Sequence, residues 1–198
     1  MSVWFDSKAN GVRDDAHDFV AADDSITSDF TDDGNYYYHL VLRDDVGNES
    51  EVYNTEMITF DKTAPVVNSV SIKDGASYTT SRSVSVKVTF EDALSGVVAV
   101  QLAGDITAQP AHSLTAEEIA DGFCTLNVEL TALAAEGEEE GATRTVTATV
   151  TDAAGNVSDS KEDSIELDTV APIGALYLKT SDGSANLPAF VNNTEFKA

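Results

Sequence analysis

The groups in this chain that could do chemistry are overwhelmingly carboxylates. Of 198 residues, 35 are Asp or Glu against 11 Lys or Arg, for a formal net charge of −24. Dense carboxylates can act as acid–base pairs or as hard oxygen ligands for a cation such as calcium, which collects about six to eight oxygens, often from separate loops. Acid pairs are so common here that no one pair stands out for glycosidase work. The other reactive types are sparse. His17, His39 and His112 are scattered and show no metal-ligand spacing. The single cysteine, Cys124, excludes an intramolecular disulfide and has no activating histidine near it in sequence. There is no glycine-rich phosphate loop and no G-x-S-x-G. The expectation is a non-catalytic chain, with four acids set apart as calcium ligands: Asp61, Glu91, Asp92 and Asp152. Whether they can act together depends on the elements that carry them.

Those elements read as strands. Val84, Val86, Val88 and Phe90 alternate with Ser, Lys and Thr, one face apolar and one wet. Val98, Val100 and Leu102 alternate in the same way, as do Cys124, Leu126, Val128 and Leu130, then Val146, Ala148 and Val150. Ile165 and Leu167 follow. Cys124 thus points into a core and behaves as a small hydrophobe. Only Thr115 to Ala120 reads as helix, opened by a Thr115/Glu118 capping box and closed by Gly122.

The strands belong to a repeat. Arg43-Asp44-Asp45-Val46-Gly47-Asn48-Glu49-Ser50 matches Thr151-Asp152-Ala153-Ala154-Gly155-Asn156-Val157-Ser158. Ile58 to Pro65 parallels Ile165 to Pro172, and the two prolines stand 107 residues apart. That period is the size of one β-sandwich domain, roughly 100 residues. Lys73-Asp74-Gly75-Ala76 and the run from Ser77 find a weaker echo after Pro172 in Asp182-Gly183 and Ala189 to Ala198. The expected organisation is the later strands of one domain in 1–63, a complete domain in 64–170, and the opening strands of a third in 171–198. The first repeat begins at a strand near Val3-Trp4-Phe5. Asp32-x-Gly34-x-Tyr36 fits a tyrosine corner, in which the phenol bonds back to the backbone before its strand. Tyr38, Leu40 and Leu42 then face a core, and His39 the outside. The second repeat carries Arg144 where the first has Tyr36, so its corner must be held by other means.

Together, D-x-x-G-N-x-S, a strand ending in D-x-x-A-P and a D-G-A-x-Y opening resemble the tandem bacterial immunoglobulin-like repeats of large adhesins and cell-surface proteins. The resemblance spans essentially the whole chain. It implies an all-β fold of tandem immunoglobulin-like antiparallel sandwiches and an extended, secreted, non-catalytic spacer. The implied partners are neighbouring repeats, with host or cell-surface ligands engaged by other domains. The alternatives are a glycan- or protein-binding module using exposed rings such as Trp4, Tyr37 or Tyr53, and a phage decoration domain.

Sandwich topology gives the four acids a meeting place. The B–C loop (Glu91, Asp92) and the F–G loop (Asp152) lie at the pole where the chain enters, and the linker with Asp61 and Pro65 reaches the same pole. Proline at Pro65 and Pro172 presets an extended entry and stiffens the linker. Asp152 to Asn156 also reads as a plain hairpin turn, with Gly155 supplying positive φ and Asn156 tolerating it. The acidic surface repels phosphate and anionic lipid, which argues against nucleic acid and membrane as partners. No apolar run approaches the roughly 20 residues of a membrane span. Met1 to Asp6 lacks the basic start and apolar run of a signal peptide, so an extracellular or cell-surface location would require an export signal outside this stretch. The Glu136 to Gly141 run reads as a solvated loop. Asn48, Asn156 and Asn192 open glycosylation sequons.

Overall fold

A computed structural model describes residues 2–7, 30–132 and 142–169. The readings made on His17, the 136–141 run, the second Ala-Pro linker and the third repeat lie outside these residues. The chain divides into two compact units, Met1–Asp168 and Thr169–Ala198, and the architecture below is that of the first.

An antiparallel sheet comes first. It contains β1 (Ser2–Asp6), β2 (Gly34–Val41), β3 (Tyr53–Asn54) and β4 (Ile58–Phe60). β2 is central: β1 runs along one edge from Ser2 opposite Val41 to Asp6 opposite Tyr37, and β3 and β4 share the other edge. The Tyr36 hydroxyl donates to the Asp32 carbonyl at 2.7 Å, which is the tyrosine corner expected from the spacing. Its ring stacks on Phe30 with centroids 4.6 Å apart.

The remaining strands form a two-sheet sandwich. These are β5 (Val66–Ile72), β6 (Tyr78–Thr79), β7 (Ser83–Glu91), β8 (Val97–Gly104), β9 (His112–Ser113), β10 (Phe123–Glu129), β11 (Ala142–Asp152) and β12 (Lys161–Leu167). One sheet has the order β10-β7-β5 and the other β6-β12-β11-β8-β9. The chain is all-β, and in the sandwich the first strand is split between the two sheets while β11 is flanked by β12 and β8. A short helix, α1 (Ala116–Asp121), bridges β9 and β10. The Thr115–Glu118 capping box is formed in both directions, and Gly122 closes α1 at φ 69°.

The core is where the alternation puts it. Val84, Val86, Val88, Phe90, Val100, Leu102, Val128, Leu130, Val146, Ala148, Val150, Ile165 and Leu167 are all buried, and Leu126 packs half-buried against them. Burying each Val, Leu or Ile side chain is worth about 1.5–3 kcal/mol relative to leaving it in water, so this cluster dominates the stability of the sandwich. Cys124 is buried among them, and burial pushes its thiol up to about 11, which makes it unreactive.

Three strand readings need correction. Val98 is exposed and Val97 buried. The register passes from Thr151 opposite Ala99 to Asp152 opposite Val97, so a bulge absorbs one residue and flips the face beyond it. In the first sheet Tyr38 and Leu40 are only half-buried and Leu42 is 46% exposed. His39 is on the opposite face, as its parity requires, but it is fully buried rather than solvated. Its ring nitrogens lie 2.6 Å from Asn54 Oδ1 on β3 and 3.1 Å from Asp6 Oδ1 on β1, so polar groups on both neighbouring strands compensate the burial. Arg144, at the tyrosine-corner position, is buried and reaches back to the Thr131, Ala132 and Thr143 carbonyls. At Thr131 and Ala132 it thereby satisfies backbone acceptors before its strand, as the Tyr36 phenol does in the first repeat.

Candidate functional site

The repeated D-x-x-G-N-x-S segment folds the same way twice. Asp44 Oδ1 accepts from the Asn48 backbone N–H and Oδ2 from its side-chain amide, both at 2.8 Å; Asp152 does the same with Asn156, again at 2.8 Å. Gly47 and Gly155 both sit at φ 95°, a left-handed conformation that favours glycine. Asn156 itself has no positive φ; its side chain, not its backbone tolerance, explains its presence. At Asp44 the Asn48 amide, and then its backbone N–H, hold the carboxyl below the ordinary aspartate range.

The second copy does more than turn the chain. The Asn156 side-chain amide also donates to the Asp61 carbonyl at 3.1 Å, tying the F–G turn to the linker. Asp61 is buried, and its carboxylate accepts from Thr63 N–H at 3.1 Å and from Ser95 N–H at 3.0 Å. Asp92 Oδ2 accepts from Leu94 and Gly96 N–H at 3.0 and 2.7 Å, so the B–C loop is wrapped around its own acid. The linker, the B–C loop and the F–G turn thus each contribute one carboxylate to one place. Asp61, Asp92 and Asp152 bring ligand oxygens within 4.8 Å of one another, with Asp61 and Asp152 buried and Asp92 half-buried.

Glu91 does not join them. It is the last residue of β7, directly after inward-facing Phe90, so strand alternation turns it out to solvent. Asp92, one residue further, has left the strand and folds into the loop. Of the four acids selected from the sequence, three converge and Glu91 is excluded by parity.

The three-acid cluster suits a hard cation. At 4.8 Å two carboxylates repel by about 3.5 kcal/mol for an effective dielectric of about 20. The N–H donors offset part of this repulsion and orient the carboxylates. Among the described residues, no lysine or arginine is ion-paired with any of the three. Ser95 adds a separate sign of fit: its Oγ is buried and without a hydrogen-bond partner, in the loop whose backbone holds Asp61. An all-oxygen set of carboxylates with a hydroxyl nearby is calcium chemistry rather than zinc chemistry. Ser95 was not legible as a site residue, because a lone serine in a Ser-rich chain carries no signal.

A further set of contacts holds the linker from the other side. Lys62 N–H donates to Asp33 Oδ1 at 3.0 Å, and the Thr63 hydroxyl donates to Asp33 Oδ2. The Lys62 ammonium donates to the Thr31 carbonyl. The Thr63 hydroxyl, then the Lys62 N–H, keep the Asp33 carboxyl below the ordinary aspartate range.

Among the described residues, features of a ligand-binding face are few; the Trp4 side chain lies outside them. The exposed tyrosines Tyr53 and Tyr78 lie on different sheets, on β3 and β6, and Tyr37 is half-buried. A cleft of about 450 Å³ runs beside the linker between Ala64–Val67 and Val157–Lys161, with no aromatic residue in its lining. No family model matches this chain, and no curated protein matches it either.

Proposed function

We propose that this chain is a spacer segment of a secreted or cell-surface bacterial protein, built from tandem immunoglobulin-like repeats, with calcium bound at the junction between its first two repeats. The observation that carries the reading is the position of Asp61. It belongs to the linker, yet its carboxylate and carbonyl bond into two loops of the following sandwich. A linker that only tethered two domains would have no reason to bury an acid in the second one. Here the linker fixes how one repeat follows the next, which a spacer needs and a free-standing binding module does not.

Asp61, Asp92 and Asp152 would hold the ion, with Ser95 beside them. Calcium would neutralise the repulsion among the three carboxylates and cross-link the linker to both loops. A non-catalytic role agrees with the sparse histidines and the unreactive Cys124. The acidic surface keeps a long array soluble and separate from nucleic acid and anionic lipid.

The reading is tested by distance measurement across the junction. Val46→Cys lies on the exposed F–G turn of the first repeat and Ala103→Cys on the exposed face of β8; buried Cys124 resists labelling. Spin labels at these positions should give a single narrow distance distribution in millimolar calcium. A broad distribution there would mean that the repeats pivot freely, and the spacer reading would fail.

A further inference from the structure

We propose that Asp33, with Thr31, Lys62 and Thr63, forms a second lock on the linker that needs no cation and acts on the first repeat alone. The inference rests on the spacer reading above and divides its junction into two parts in series.

The division follows from which way consecutive residues face. Asp61 bonds forward, to Ser95 N–H in the sandwich and, through its carbonyl, to Asn156. Lys62 and the Thr63 hydroxyl, from the next two residues, bond backward, while the Thr63 N–H stays on Asp61 Oδ1. Lys62 N–H and the Thr63 hydroxyl close on the two oxygens of Asp33, just before β2, and the Lys62 ammonium reaches the Thr31 carbonyl. Three consecutive residues therefore fasten to opposite neighbours. The backward lock uses a carboxylate with N–H and O–H donors, so it is complete without an ion. The forward side concentrates three carboxylates and has a use for one.

The repeat shows that the backward lock is not part of the general design. Aligned through Tyr36 with Arg144 and through Pro65 with Pro172, the next repeat carries Gly141, Thr169 and Val170 at the positions of Asp33, Lys62 and Thr63. None offers the carboxylate, ammonium or hydroxyl of its counterpart. Asp61, by contrast, is matched by Asp168. The three residues whose side chains make the lock differ together while the forward acid is kept, as expected of groups that act as one unit.

In a series arrangement neither lock substitutes for the other. Losing the backward lock frees the first repeat however much calcium is present, and leaves the calcium response of the sandwich untouched. The test uses the full chain with the label pair at positions 46 and 103, in wild type, Asp33→Ala and Thr63→Val. Both substituted positions are exposed, and Thr63→Val removes only the hydroxyl donor while keeping the shape. The expected result in saturating calcium is a narrow distribution for wild type and one at least twice as wide for each variant. The rise in melting temperature on adding calcium should stay the same in all three. Wild-type width in both variants would overturn the lock while leaving the spacer reading standing. Loss of the calcium response in Thr63→Val would overturn the separation into two parts. A broad wild-type distribution would instead count against the spacer reading itself.

Discussion

Replacing Ser158 by alanine isolates one buried hydrogen bond whose twin lies on the surface of the same molecule. The ladder between β11 and β12 ends at Ala148 opposite Lys161, so Val150 beyond it has no strand partner on that side. Ser158 fills the gap: its Oγ accepts from Val150 N–H at 3.0 Å, and its own N–H returns to the Val150 carbonyl at 2.9 Å. Val150 is 0% and Ser158 8% exposed, so water cannot easily replace the lost hydroxyl. A buried donor left without an acceptor costs about 1–3 kcal/mol. For a domain of this size each kcal/mol lowers the midpoint by about 4–8 °C, so Ser158→Ala should melt at least about 4 °C below wild type. In the first repeat, Ser50 Oγ accepts from Leu42 N–H at the same 3.0 Å, but Leu42 is 46% exposed. Water takes over there, and Ser50→Ala should stay within about 0.5 kcal/mol of wild type. Thermal melts followed by circular dichroism measure both, and amide exchange at Val150 reports the bond itself. If Ser158→Ala melts within about a degree of wild type, or the Val150 amide keeps its protection, the reasoning from burial is wrong.

Calcium at about 5 mM, on a site with the affinity of extracellular modules (Kd about 0.1–1 mM), should stabilise the protein by about 1–2 kcal/mol, visible as a melting point several degrees above that in chelator. Asp92→Asn should remove most of that shift, and identical melts with and without calcium would dismiss the ion. Glu118 gives a pH signature: the Thr115 backbone N–H, aided by His112, holds its carboxyl below the ordinary glutamate range, against some desolvation. A depressed carboxyl stabilises the fold above its unfolded pKa and loses that contribution as pH falls through the folded value. The gap in melting temperature between wild type and Glu118→Gln should therefore be open at neutral pH and close in acid, and a gap that widens in acid would reverse the assignment.

Much of the sandwich was legible because its strands are long and one-sided. From Val84 to Phe90 in β7 and from Val146 to Val150 in β11 every second residue is apolar, and that parity survives folding unchanged. Parity failed where the backbone inserts or ends. The bulge at Thr151 and Asp152 put Val97 inside in place of Val98, and no residue type there announces it. Glu91 and Asp92 look alike in sequence; only the end of β7 between them sends one to solvent and the other to the site. His39 was placed on the correct face but judged solvated, since the groups that bury it, Asn54 and Asp6, come from strands far away along the chain. The junction was partly legible for the same reason. Asp61 and Asp152 belong to motifs seen twice, and their convergence followed from sandwich topology. Ser95 and the Asp33 contacts depend on which way a loop or linker faces, and no periodicity encodes that.

The split first strand of the sandwich bears on how it would behave under tension. β6 runs parallel to β12, with Tyr78 opposite Glu166 and Thr79 opposite Leu167, and the Glu166 and Asp168 N–H groups bond to Ser77 and Thr79 carbonyls. β6 lies near the entry to the domain and β12 near its exit. A pull on the two ends draws these parallel neighbours past each other along their length. The bonds between them are then loaded side by side and must give way together. Antiparallel strands pulled from adjacent ends would instead open one bond at a time. These few contacts therefore stand directly in the path of a stretching force.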